Sequence, residues 1–232
     1  MQDLYAKLDA GFTKDRTVMR SREVAYESIK NAILRGTLPA GERLVEERLG
    51  VALQLSRTPV REALSILEHE GLIASIPYKG LVVKPVTVNE FLLMYEALGL
   101  IESAIARAAA TNAGPADLRA MDASLTESEA AIPQDIPGHL AAGREFQALL
   151  GSCARSPFLT RMLLSIEERS DMYLIHSKRE LPPDRMQQAV NDRRAILDAV
   201  RLGDPDAAAA AAVAHGESIR IRWRDMYIEQ PG

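Results

Sequence analysis

The stretch Leu55-Ser-Arg-Thr-Pro-Val-Arg-Glu-Ala-Leu64 decides how this chain is read. Val60, Ala63, Leu64 and, just beyond it, Leu67 fall on one side of a helix, because steps of three and four residues return to the same face. Ser56, Arg57, Thr58 and Arg61 are left at the leading end, away from that face. Thr58 is placed to cap the helix and Pro59 to open it, since the first helical position needs no N–H. A helix of this kind suits a nucleic-acid groove. Arginine offers paired donors that match guanine O6 and N7, and short hydroxyls anchor phosphates. The helix N-terminus adds partial positive charge and free N–H groups.

Working outward, apolar residues recur at helical spacing from Thr17 to Leu34, through Val18, Ala25, Ile29 and Ile33. Gly36 closes that helix and Pro39-Ala-Gly41 turns the chain. Leu44 to Leu53 reads as a short second helix, with Leu49 and Leu53 facing inward. The third helix stops at Glu70-Gly71, and the period then changes. Leu72 to Ile76 and Leu81 to Val83 are β-prone runs around Pro77-Tyr-Lys-Gly80, which predicts a hairpin with Lys79 and Gly80 at its tip. Three helices followed by a hairpin is the layout of a winged helix-turn-helix. After Val88 the chain reads as helix, broken at Asn112–Pro115, Pro133–Gly138, Ser156–Pro157, Pro182–Pro183 and Gly203–Pro205. The expected protein is mainly α, with residues 1–14 as an extension, 15–86 as the winged domain and 87–232 as an all-α bundle of about six or seven helices. Leu4, Tyr5 and Leu8 are spaced to form one amphipathic turn in the extension.

The composition, 47% hydrophobic and 26% charged, is that of an ordinary globular protein. No apolar run approaches the roughly 20 residues that span a bilayer, and the first residues lack the marks of a signal peptide. With Cys153 as the single cysteine, no internal disulfide can form, and a reducing cytoplasm is expected. The net charge of −4 is unevenly spread. Residues 14–85 hold 12 Lys/Arg against 9 Asp/Glu, whereas residues 86–232 hold 15 against 21. A basic front joined to an acidic rear permits DNA binding by the front.

These residues resemble the GntR-type regulators, and among them the FadR-like group with a helical, FCD-type effector domain. The resemblance is carried by Ile33-Leu-Arg-Gly-Thr-Leu-Pro-Ala-Gly-Glu-Arg-Leu44, by the stretch quoted first, by Leu67-Glu-His-Glu-Gly-Leu72 and by Gly80-Leu-Val-Val83. It implies DNA contact at Ser56, Arg57, Thr58 and Arg61, with wing contact near Lys79 and Gly80. Glu47 stands where some relatives carry a phosphate-binding Arg, a role open to the nearby Arg48 or Arg43. Gly50 and Gln54 stand where the family usually has Ala and Gly, so Gln54 is expected to take a left-handed conformation at some cost.

The rear half resembles the effector domain more loosely, with Glu96 to Ala109 as a first helix and Arg144-Glu-Phe146 with Leu149 on a central one. Ala195 to Val200 and Gly203 to His215 match its last two helices. Many members hold a divalent metal there through one Asp and three His. In this chain those positions are Gly143, Gln147, Arg193 and His215, and Leu98 replaces an Arg common in the first helix. One imidazole beside an amide and a guanidinium makes no usable coordination shell, so no metal or other cofactor is expected. Arg193 instead suggests an effector pocket of Gly143, Gln147, Arg193 and His215 for a small, anionic metabolite. The alternative is that Arg193 pairs with a nearby carboxylate such as Asp192 or Asp198, and that His215 is a packing residue. The expected partners are double-stranded operator DNA of near-palindromic sequence, a small effector, and a second copy of the chain in a homodimer, with no membrane. An enzyme is not expected, because no nucleophile elbow, phosphate loop or paired His/Asp is present. A DNA-binding protein that senses nothing is the remaining rival.

Overall fold

The computed structural model describes residues 21–176 and 181–229, with side chains described through residue 224. The expected amphipathic turn at Leu4, Tyr5 and Leu8, and the start of the first helix at Thr17 and Val18, lie outside the described residues. The chain divides into two compact units, Met1–Val86 with Met172–Lys178 and Thr87–Asp171 with Arg179–Gly232. Among the described residues there are nine helices and one two-stranded hairpin.

The first unit contains α1 (Ser21–Leu34), α2 (Glu46–Leu53), α3 (Arg57–His69), β1 (Ile73–Ile76) and β2 (Gly80–Val83). Its core is continuous, built from Ala25, Ile29 and Ile33 of α1, Leu49 and Leu53 of α2, and Val60, Ala63, Leu64 and Leu67 of α3. Burial of each large aliphatic side chain contributes about 1.5–3 kcal/mol, which fixes the face that α3 turns inward. Two expected boundaries shift. Helix α3 starts at Arg57 with Ser56 as its cap, so Thr58 and Pro59 are its second and third residues. The first-turn N–H groups have no helical partner, so Pro59 costs nothing there. Helix α2 starts at Glu46, not Leu44, because the preceding residues pair with β2. Leu44 N–H donates to Leu81 O at 2.8 Å, Val83 N–H donates to Glu42 O at 2.9 Å, and Arg43 bridges Val82. Neither shift disturbs the layout of three helices and a wing.

Between α2 and α3 the chain reverses through Gln54, at φ 55° and ψ 39°. The left-handed conformation expected of Gln54 is present. Gly50 has its own reason: a Cβ there would lie 2.9 Å from the carbonyl oxygen of Leu55. The turn therefore closes against a bare backbone at position 50.

The second unit is all helical: α4 (Val88–Asn112), α5 (Pro115–Ala130), α6 (Ile136–Cys153), α7 (Pro157–His176) as far as Asp171, α8 (Pro183–Leu202) and α9 (Pro205–Glu229). Helix α4 is longer than the expected Glu96–Ala109. Thr87 and Glu90 form a reciprocal capping box that starts it eight residues earlier. The long helices α4 and α9 pack most closely, α8 lies against both, and α5 pairs with α6. Phe91 of α4 meets the Trp223 ring of α9 edge-on at 5.2 Å. The alanine tract of residues 207–212 lies within α9, with Ala208 and Ala212 fully buried. Cys153 is free and buried, and burial pushes its thiol up. No helix among the described residues is long and apolar enough to cross a membrane.

Candidate functional site

At the leading end of α3, Ser56, Arg57, Thr58 and Arg61 are all exposed, while Val60, Ala63, Leu64 and Leu67 on the other face are buried. The side chains of Arg57 and Arg61 are 65% and 66% exposed. Two features keep this end ready for an anion. Ser56 caps by its backbone geometry without a side-chain hydrogen bond, and the first turn of α3 carries no acidic residue. The helix dipole is therefore not neutralised from within.

Glu46, the first residue of α2, faces this end. Arg61 Nε donates to both carboxylate oxygens of Glu46 at 3.0 and 3.2 Å, and its Nη2 donates at 3.0 Å. Arg57 approaches the same carboxylate at 3.7 Å. The Arg61 hydrogen bonds hold the Glu46 carboxyl below its ordinary range. The two arginines thus leave α3 on a common acidic support. In so exposed a setting the pair adds little stability; its effect is to fix direction.

At the wing, Lys79 and Gly80 are exposed and Arg43 is beside them. A Cβ at Gly80 would lie 3.8 Å from Arg43 Nε, and Gly80 has φ +78°. The positive φ favours glycine here, while the guanidinium would meet a Cβ only at ordinary contact distance. Arg48 is also exposed, on α2.

In the helical unit, Gly143, Gln147, Arg193 and His215 are all buried and brought together with Glu102 and Glu167. Five helices contribute to this centre. The amide nitrogen of Gln147 (α6) donates to Glu102 (α4) at 2.5 Å and reaches Glu167 (α7) at 3.4 Å. His215 (α9) shares a 2.8 Å hydrogen bond with Glu102 through Nδ1. Arg193 (α8) pairs with Glu167 at 3.4 Å, both side chains being more than nine-tenths buried. The guanidinium fills the space beside Gly143, where a Cβ would stand 2.9 Å from Nη1. Burial works against the Arg193 charge, but Glu167, Glu102 and Asp171 outweigh it. On the same α7 face, Asp171 pairs with Arg144.

The alternative reading of Arg193, a carboxylate partner, holds in a different form. The partner is Glu167, while Asp192 pairs with Arg222 and Asp198 with Arg201. The free cation on which an anionic ligand was expected is therefore already compensated. Arg193 occupies the space beside Gly143, and among the described residues no group of three or more His, Cys, Asp or Glu is placed to hold a metal ion. Glu102 and Glu167 stand outside the set expected from sequence. A signal was present, because Leu98, Glu102, Ile105 and Ala109 share one buried stripe of α4.

Comparison with known proteins bears on both units. A family model described as "Bacterial regulatory proteins, gntR family" matches residues 21–83, and one described as "FCD domain" matches residues 93–218. An HTH-type transcriptional regulator from the TAR-I ttuE-ttuC' intergenic region of Agrobacterium vitis is 33% identical over 134 residues, covering 56% of this chain and 78% of its own. The HTH-type regulator YdhC of Bacillus subtilis is 25% identical over 195 residues, covering 82% and 85%. The fold is similar to that of E. coli McbR/YncC, with a TM-score of 0.75 at 18% identity, over 90% of this chain and 99% of that one. With a winged head of gntR type and an FCD domain behind it, the chain belongs to the GntR family and is a DNA-binding transcription regulator of the FadR/FCD architecture, not an enzyme.

Proposed function

We propose that this regulator binds a near-palindromic operator as a homodimer and changes its hold on DNA when a small metabolite enters the helical domain. In this reading α3 lies in the major groove, Arg57 and Arg61 meet base edges, and Ser56 and Thr58 hold the adjoining phosphates. Lys79 and Gly80 follow the backbone or the minor groove from the wing, with Arg43 and Arg48 as further phosphate contacts. Two heads related by a two-fold axis would meet two half-sites about one helical turn apart. The exposed Leu93 and Leu100, seven residues apart on α4, support association through the helical unit. Effector and operator would be linked through differential affinity for two arrangements of the heads.

The observation that carries the DNA reading is the division of α3, with Arg57 and Arg61 exposed at its leading end and its other face sealed in the core. The test starts from duplexes that the full-length protein selects out of random DNA. A double variant, Arg57→Ala with Arg61→Ala, should lose discrimination between selected and unselected duplexes while keeping its oligomeric state and melting temperature. Undiminished discrimination would remove α3 from base readout. Inverted repeats in the selected pool would support the two-fold operator, and single half-sites would remove it.

A further inference from the structure

With Arg193 already paired, the buried centre lacks spare positive charge, and we infer that it takes a small protonated amine that also carries a hydroxyl or carbonyl oxygen. The inference rests on the reading of the helical domain as the sensor and adds the charge class of what is sensed.

Two observations carry it. The first is the charge balance. Glu102, Glu167 and Asp171 supply three carboxylates to the interior, against the guanidiniums of Arg193 and Arg144 and the imidazole of His215. An incoming carboxylate would meet three of its own kind and contest Arg193 with Glu167, exchanging one ion pair for another. An ammonium instead brings the opposite charge to the carboxylates it meets. Burial first and Glu167 second push the Asp171 carboxyl up to about 7, despite its pairing with Arg144.

The second is the set of buried polar atoms without a partner among the described residues, which includes Gln147 Oε1, His215 Nε2 and Arg193 Nε. Gln147 turns its amide nitrogen to Glu102 and Glu167, so the atom left over is an acceptor. His215 turns Nδ1 to the Glu102 carboxylate, which makes Nδ1 the donor and leaves Nε2 unpartnered. Arg193 Nε–H is a donor. The acceptor on Gln147 and the donor on Arg193, together with the unpartnered Nε2 of His215, suit a group that carries both N–H bonds and an oxygen. A buried polar atom left unmatched is costly, so such a set is a standing attraction for a complementary ligand.

The experiment uses full-length protein at pH 7, with thermal unfolding and calorimetry in the presence of ethanolamine or glucosamine, and of lactate, malate or citrate. At least one amine should raise the melting temperature of the wild type in a concentration-dependent way, and the carboxylates should not. That amine should bind at least tenfold more weakly to Glu102→Gln, or to Gln147→Leu if the first variant does not fold. Stabilisation by the carboxylates overturns the amine while leaving the sensor reading intact. Stabilisation by neither set, but by an ultrafiltered cell extract, has the same meaning. No response to either set or to the extract overturns both.

Discussion

Gln54 shows how one residue carries a cost for the turn it makes. Its φ of 55° lies where a Cβ crowds the following carbonyl, a conformation glycine adopts without penalty. Gln54→Gly should therefore stabilise the winged unit by about 1 kcal/mol, read as a rise in the midpoint of urea unfolding at unchanged slope. A fall in the midpoint would mean that the greater freedom of glycine in the unfolded chain outweighs the relief. The left-handed turn was legible in advance, because Gln54 stands where the family usually has Gly. The close approach of Leu55 O to Gly50 was not, since it depends on where the next residue's backbone passes after the turn.

Among elements, the pair α4 and α9 depends most on small residues. Gly99 and Gly216 face each other, yet the space beside them is unequal. A Cβ on Gly216 would stand 2.7 Å from the Tyr95 carbonyl oxygen and 3.0 Å from Gly99 Cα, whereas a Cβ on Gly99 meets nothing nearer than 3.5 Å. Gly216→Ala should destabilise the helical unit by about 1–3 kcal/mol, because backbone cannot step aside as a side chain can. Gly99→Ala should be neutral or stabilising, by up to about 1 kcal/mol from helix propensity. Chemical denaturation of the two variants side by side checks the contrast, and equal losses would mean that the helices separate to accommodate either. Elements whose signals are local were legible in the sequence, such as α3 from its apolar spacing and the wing from Pro77 to Gly80. What needed a distant partner was not. Residues 43 and 44 leave helix α2 because β2 offers them hydrogen bonds from nearly forty residues away. Glu102 and Glu167 are legible only as charges on apolar stripes until α6, α8 and α9 supply Gln147, Arg193 and His215 as company.

For the molecule as a whole, the buried acids set how stability responds to pH. Asp171 titrates near 7 in the folded protein and near 3.8 as a free carboxyl, so the native state holds an extra proton between those values. Its contribution is complete below pH 3.8 and is lost as the pH rises through 7. The melting temperature should therefore fall from pH 6.5 to about 8.5, and Asp171→Asn should flatten that fall. The window avoids His139, which burial pushes below 6.5 and which acts in the opposite sense at lower pH. An unchanged slope in the variant would place the titration elsewhere. A regulator must also search long stretches of duplex, and there the carboxylate of Glu46 has a consequence of its own. Arg61 already has two oxygens at about 3 Å before any nucleic acid arrives. If Arg61 reads bases as proposed, a base step offering one acceptor, or none, would not outbid that companion and the protein would slide on, whereas a guanine offers two acceptors to compete for it. Held this way, the arginine would ignore most of what it passes.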